Sequence, residues 1–108
     1  MTLPFEALAE PNRRQILNLL MEGERPVGDL VEAMAVSQPA VSKHLRILRE
    51  AGLVASRTEA QRRIYRVRVE PLVEVDEWLR PYRHLWASRL NALERHLEIM
   101  GDAADGWA

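Results

Sequence analysis

The 108-residue chain has no cysteine, which removes disulfides, thiolate metal ligands and a cysteine nucleophile in one step. It has no long apolar run either: nowhere do about 18 apolar residues follow one another, the minimum for a membrane-spanning helix. The amino terminus, MTLPFEALAE, lacks the basic segment and apolar stretch of an export signal. A cytoplasmic protein with no membrane partner is expected. The formal net charge is only −1, which by itself argues against a generic nucleic-acid binder.

That average hides a segregation. Between Ser37 and Val69 stand eight bases (Lys43, Arg46, Arg49, Arg57, Arg62, Arg63, Arg66 and Arg68) and two acids (Glu50 and Glu59), a net +6; the residues before carry −3 and those after −4. A basic block between acidic ones lets one face meet a polyanion while the rest stays soluble. From charge alone, a solvated surface is the competing reading.

In EPNRR, Pro11 suits the first turn of a helix, where its missing N–H is not needed. That helix carries Ile16, Leu17, Leu20 and Met21 at helical spacing and stops at Gly23. RPVGDLVEAMAV gives a second short helix with Val27, Leu30, Val31 and Met34 on one side. A third begins at Ser37, whose hydroxyl can cap it, with Pro39 in its first turn. At 100° per residue, Ala40, Val41, His44, Leu45, Ile47 and Leu48 share one side of this helix. Gln38, Pro39, Ser42, Lys43, Arg46 and Arg49 share the other, a face short of carboxylates and rich in groups that hydrogen-bond base edges and phosphates.

After Gly52 the pattern turns β-branched and alternating. LVASRT and RRIYRVRV, joined by EAQ, read as a two-stranded hairpin with Tyr65, Val67 and Val69 on one side and Ile64, Arg66 and Arg68 on the other. Helices, a turn, a third helix and a basic hairpin make a mainly α fold with a small β-hairpin, a winged helix-turn-helix; the helix Ser37–Glu50 would lie in the major groove of double-stranded DNA.

Pro71 can start a short helix through Leu79, and Pro81 is expected to break or kink it before a last helix ending near Gly101. Along that segment Leu79, Tyr82, Trp86, Leu90, Leu93, Leu97 and Met100 recur at steps of 3, 4, 4, 3, 4 and 3, an a/d seam that favours self-association over packing on its own domain. Residues 1–101 read as one DNA-binding and dimerisation domain and 102–108 as a frayed tail.

ALAEPNRRQILNLL, then VGDLVEAMAVSQPAVSKHLRILREAGLV, then RRIYRV, resemble the ArsR family of bacterial winged helix-turn-helix repressors, from about Phe5 to Met100. The most specific piece is SQPAVSKHLRILREAGLV. The resemblance implies a homodimer built by the first and last helices, with Phe5, Leu8, Tyr82, Trp86, Leu90, Leu93, Leu97 and Met100 at the interface. It implies binding to an imperfect palindrome in a promoter, usually as a repressor and often of its own operon. By position, Gln38, Pro39, Ser42 and Lys43 fall where the family's recognition helix approaches bases, Arg46 near the phosphates, and Arg62 and Arg63 in the wing; Ser37, at the start of that helix, is counted with them among the DNA-binding residues. The family's wing turn usually has a glycine where EAQ stands.

The family's best-known sensors use a cysteine pair in the helix matching Val27 to Met34, and this chain has none. A second family site takes Asp-x-His with His-x-x-His or His-x-x-Glu on the last helix; here the positions read Tyr82-x-His84 and His96-x-x-Ile99. Zinc needs about four convergent ligands, so neither metal sensing nor any other cofactor is expected, and a small-molecule or protein effector stays unassigned. Trp78 and Trp86 could line a ligand pocket between protomers, but large aromatics at interfaces are more often anchors. His44 is expected to pack or to bond a neighbouring carbonyl; His84 and His96 flank the seam. The serines at 37, 42, 56 and 88 lack a base, an orienting acid and a glycine-rich elbow, so no enzyme is expected. The rival class is a winged-helix module that binds only protein, which the coincidence of the +6 block with helix and wing disfavours.

Overall fold

The computed structural model describes residues 3–101, with side chains as far as Glu98. The tail at 102–108 and the side chain of Met100 lie outside the described residues. Five helices and three strands follow in the order α1 (Pro4–Leu8), α2 (Pro11–Met21), β1 (Arg25–Pro26), α3 (Val27–Ala33), α4 (Gln38–Glu50), β2 (Val54–Glu59), β3 (Arg62–Val67) and α5 (Glu70–Gly101). They divide into two compact units, one ending at Val75 and one starting at Asp76.

In the first unit the helix starts are set as their sequences require. Glu10 caps α2 by accepting the Arg13 backbone N–H at 2.9 Å, and Ser37 Oγ caps α4 by accepting the Ala40 N–H at 3.3 Å. Prolines occupy the first turns of both. α4 ends in a Schellman turn: the N–H of Leu53 returns to the Leu48 carbonyl at 2.9 Å and that of Gly52 to Arg49 at 3.0 Å. This requires a left-handed residue, and Gly52 supplies it at φ +77°. The turn throws the chain directly into β2. Ile16, Leu30, Val41, Leu45, Leu48 and Leu53 are fully buried and form one cluster with Ala7, Leu17, Leu20, Met34, Ala51, Val54 and Tyr65. The apolar side of α4 is therefore its inward side. Burying a leucine of this kind contributes about 1.5–3 kcal/mol.

Two expectations for the strands change. The sheet has three antiparallel strands in the order β1-β3-β2, not two. Arg25 and Pro26 pair with Tyr65 and Ile64 on the outer side of β3, while β2 pairs along its other edge from Val54↔Val67 to Glu59↔Arg62. Nor does the expected alternation of β3 hold, because Ile64 and Tyr65 are both buried. With neighbours on both edges, β3 is the central strand and both of its faces are covered at this point.

Pro81 does not break the last helix. α5 runs unbroken from Glu70 to Gly101 with Pro81 inside it. A proline leaves the carbonyl four residues earlier without its helical donor, here that of Glu77. Glu77 and its neighbours are exposed, so water can take the donor's place. Within the second unit, Trp78 stacks obliquely on Tyr82, ring centroids 4.9 Å apart, and Arg83 pairs with Asp76. Among the described residues no helix is long and apolar enough to cross a membrane.

Candidate nucleic-acid interface

The cap at Ser37 and the buried row Val41, Leu45 and Leu48 fix which way α4 faces. With that row turned inward, Ser37, Gln38, Pro39, Ser42, Lys43 and Arg46 are all exposed, so the six residues singled out on this helix share one open surface. It offers an amide, hydroxyls, an ammonium and a guanidinium, which between them can donate to guanine, bond the N6 and N7 of adenine together and pair with phosphate.

Arg62 and Arg63 are exposed at the start of β3, next to the Ala60–Gln61 turn. Glu59 and Arg62 are the last paired residues, leaving a two-residue turn in which Ala60 adopts φ +56°. That is the position where glycine is easiest. A groove of about 310 Å³ separates the wing tip from the start of α3, lined by Pro26, Val27, Gly28, Asp29, Gln61, Arg62 and Arg63. Asp29 thus sits near the wing arginines, a neighbourhood that nothing in the spacing of the sequence foretells.

The basic block is not uniformly cationic. Arg57 donates Nη1 to Glu24 at 2.7 Å and Nη2 to Glu59 at 3.1 Å, and these hydrogen bonds, Glu24's first, push its pKa above the ordinary arginine value. Arg68 pairs with Glu70 at 3.7 Å. Lys43, Arg46, Arg62 and Arg63 form no ion pair among the described residues and keep their charge available. The block's unpaired positive charge therefore includes Lys43 and Arg46 on the exposed side of α4 and Arg62 and Arg63 on the wing.

Other arginines have structural roles that sequence reading missed. Arg13 donates Nε to the Ala7 carbonyl at 2.7 Å and Nη2 to the Glu6 carbonyl at 3.1 Å, and Arg14 donates Nη1 to the Leu8 carbonyl at 2.7 Å. Both hold the carboxyl end of α1 on α2. The interface residues expected on the first and last helices differ in setting. Phe5 is exposed, whereas Leu8 is half-buried against the core. On α5, Tyr82, Trp86, Leu90 and Leu93 are 45–59% exposed in the single chain, with Leu97 half-buried. His84 and His96 are exposed, and among the described residues no three His, Asp or Glu side chains gather as a metal site would need.

Comparison with known proteins places this geometry. Residues 10–56, from the α2 cap through α4 into β2, match the family model described as bacterial regulatory protein, arsR family. The chain is similar to the transcriptional repressor SdpR of Bacillus subtilis, 33% identical over 69% of this chain and 83% of that one. It is also similar to the transcriptional activator HlyU of Vibrio cholerae, 44% identical over 56% of each; the solved HlyU structure superposes with a TM-score of 0.59. The crystal structure of an ArsR family transcriptional regulator superposes with a TM-score of 0.67 at 31% identity, covering 78% of this chain and 87% of that one. Several further curated relatives are matched over 42–59% of their own length.

Proposed function

The chain belongs to the arsR family of bacterial regulatory proteins, and from that premise we propose a dimeric, sequence-specific transcription regulator that reads a palindromic operator through α4 and steadies itself on the backbone with the wing. The observation that carries the reading is the exposed face of α4: Gln38, Ser42, Lys43 and Arg46 stand clear of the core, without a carboxylate among them, and the wing's Arg62 and Arg63 are exposed as well. Gln38, Ser42 and Lys43 supply base contacts; Arg46, Arg62 and Arg63 supply phosphate contacts. Ser37 and Pro39 set the start of the helix at the groove.

The exposed seam of α5 supports the dimer. Four large apolar side chains in one helical row, each about half exposed, are more than scattered surface hydrophobes and call for a covering partner. A second copy supplies the same row by two-fold symmetry, and two-fold symmetry asks for a palindrome. Residues 1–101 then act as one functional domain. Repression is the simplest outcome of a dimer held across a promoter, although the activator HlyU shows that relatives of this chain also work in the other direction.

Selection of duplexes from a random pool by the purified protein tests the reading. A two-fold symmetric site supports it; a pool that never enriches defeats it.

A further inference from the structure

On α2, Arg14, Leu17, Asn18 and Met21 recur at the spacing of one helical face. That face borders an open groove in the first unit, about 390 Å³ in volume, closed on its other sides by Leu8 of α1, Val67 of β3 and Leu72 in the first turn of α5. Leu17 is buried, and Leu8, Val67 and Leu72 are half-buried against the core. Met21, at the end of α2, is 64% exposed. The surface is therefore apolar and partly wet, which favours an apolar occupant.

One charge stands on it. Arg14 is the one ionisable group lining the groove, and it forms no ion pair among the described residues. Its Nη1 donates to the Leu8 carbonyl at 2.7 Å, which fixes the guanidinium against another wall of the same groove. A guanidinium has five N–H donors, and the edge formed by Nε and Nη2 has the fork geometry that takes both oxygens of a carboxylate. Asn18, one turn further along α2, adds an exposed amide.

We propose that this groove binds a linear amphiphilic carboxylate of the fatty-acid class, its headgroup on Arg14 and its chain along Leu8, Leu17, Met21, Val67 and Leu72. A purely apolar ligand would leave the cation unused. A small polar anion would leave the apolar walls wet, and a phosphate monoester would bring two negative charges to a single arginine. The volume lies at the small end of ligand clefts, about 300–1,000 Å³, which suits one alkyl chain better than a fused-ring skeleton. The groove shares no residue with the exposed face of α4, the wing arginines or the exposed row Tyr82, Trp86, Leu90 and Leu93. The proposal therefore stands whether or not the chain reads an operator.

Calorimetry of the full chain with decanoate tests it, with decanol and decyltrimethylammonium as the neutral and cationic ligands of the same chain length. Decanoate should bind at a single site per chain, on the order of tenfold tighter than decanol, and the cation should not bind. Octanoate, shorter by two methylenes, should bind on the order of tenfold more weakly than decanoate. Arg14→Gln should abolish the preference for decanoate over decanol, and Arg14→Lys, which keeps the charge without the fork, should retain part of it. Met21→Glu sets a like charge on the apolar wall and should weaken decanoate as well. That position is exposed and makes none of the hydrogen bonds that hold α1, so the variant still decides the matter if Arg14→Gln does not fold. In methyl NMR spectra decanoate should shift Leu8, Leu17, Val67 and Leu72 and leave Leu90 and Leu93 in place. Equal affinity for decanoate and decanol, binding that survives Arg14→Gln and Met21→Glu, or shifts confined to Leu90 and Leu93 would overturn the proposal. So would decanoate binding that disappears as the protein self-associates at higher concentration, because a second copy would then be the occupant of the groove.

Discussion

Arg57 on β2 donates Nη1 to Oε1 of Glu24 at 2.7 Å, joining the wing to the loop ahead of β1 across 33 positions of sequence. The pair lies at the surface, so its contribution to stability is small; its consequence is for charge. Together with Glu59 it holds an arginine out of the cationic surface that a count along the sequence assigns to it.

Glu24→Gln is therefore expected to leave the fold intact while freeing Arg57 from one of its two carboxylates. Affinity for random-sequence DNA should rise, and the slope of log affinity against log salt should steepen by up to about 0.9 for each additional phosphate neutralised. A salt titration of wild type and variant on the same duplex decides it: an unchanged slope means Arg57 does not reach the backbone even when released.

Ala60 at φ +56° places a side chain where left-handed backbone is disfavoured by roughly 1–2 kcal/mol. Ala60→Gly should relieve this but add freedom to the unfolded chain, for a net gain of about 0.5–1 kcal/mol. Thermal unfolding measures the difference. A destabilisation of similar size would mean that the turn does not need a left-handed residue at this position.

The cap of α2 should show in acid. Because Glu10 has its folded pKa below the ordinary glutamate value, its contribution is fully present above the unfolded pKa and disappears as pH falls through the folded one. Melting temperatures of wild type and Glu10→Gln should differ near neutrality and converge below the glutamate range. Parallel curves down to the acid limit would remove Glu10 from the account of acid stability.

Leu90→Glu together with Leu93→Glu places like charges in the exposed row of α5 and should convert a dimer into a monomer, with operator affinity lost alongside. Sedimentation at micromolar concentration reads the first effect and anisotropy the second. A double variant that stays dimeric would move the interface away from α5.

What the sequence makes legible here are the features set by local spacing. The row Val41, Leu45 and Leu48 has helical period, and once it is turned inward the placement of Gln38, Ser42, Lys43 and Arg46 follows without further information. Proline and serine punctuation likewise marks the starts of α2 and α4. The features it hides depend on distant partners or on solvent. β1 is two residues long and has no period of its own, yet it makes β3 a central strand, and the packing of α2 and α3 on β3 goes with the burial of both Ile64 and Tyr65. Arg57 and Arg68 count as cations in sequence, but carboxylates outside the block, Glu24 and Glu70, sit against them. Pro81 reads as a stop, yet the exposed carbonyl side of α5 tolerates it.

The assignment of α4 to bases and the wing to phosphates gives the sharpest expectation, because the two kinds of interaction fail differently. Base pairings carry sequence information and phosphate pairings carry charge. Gln38→Ala or Lys43→Ala should lower the preference for the selected site over random DNA by about 1–3 kcal/mol for each bidentate base pairing removed. Both positions are exposed and clear of the core row, so the fold should survive. Arg62→Ala with Arg63→Ala should instead weaken both DNAs alike and flatten the salt dependence, by about 0.9 in slope for each phosphate no longer neutralised. With two such arginines in each protomer, a dimer has four to lose. Half-sites should be centred about one helical turn apart, roughly 34 Å, since a two-fold pair of recognition helices meets one face of the duplex. If the α4 variants kept full discrimination while the wing variants lost it, base reading would belong to the wing, and the groove between Asp29, Arg62 and Arg63 would become the place to look for it.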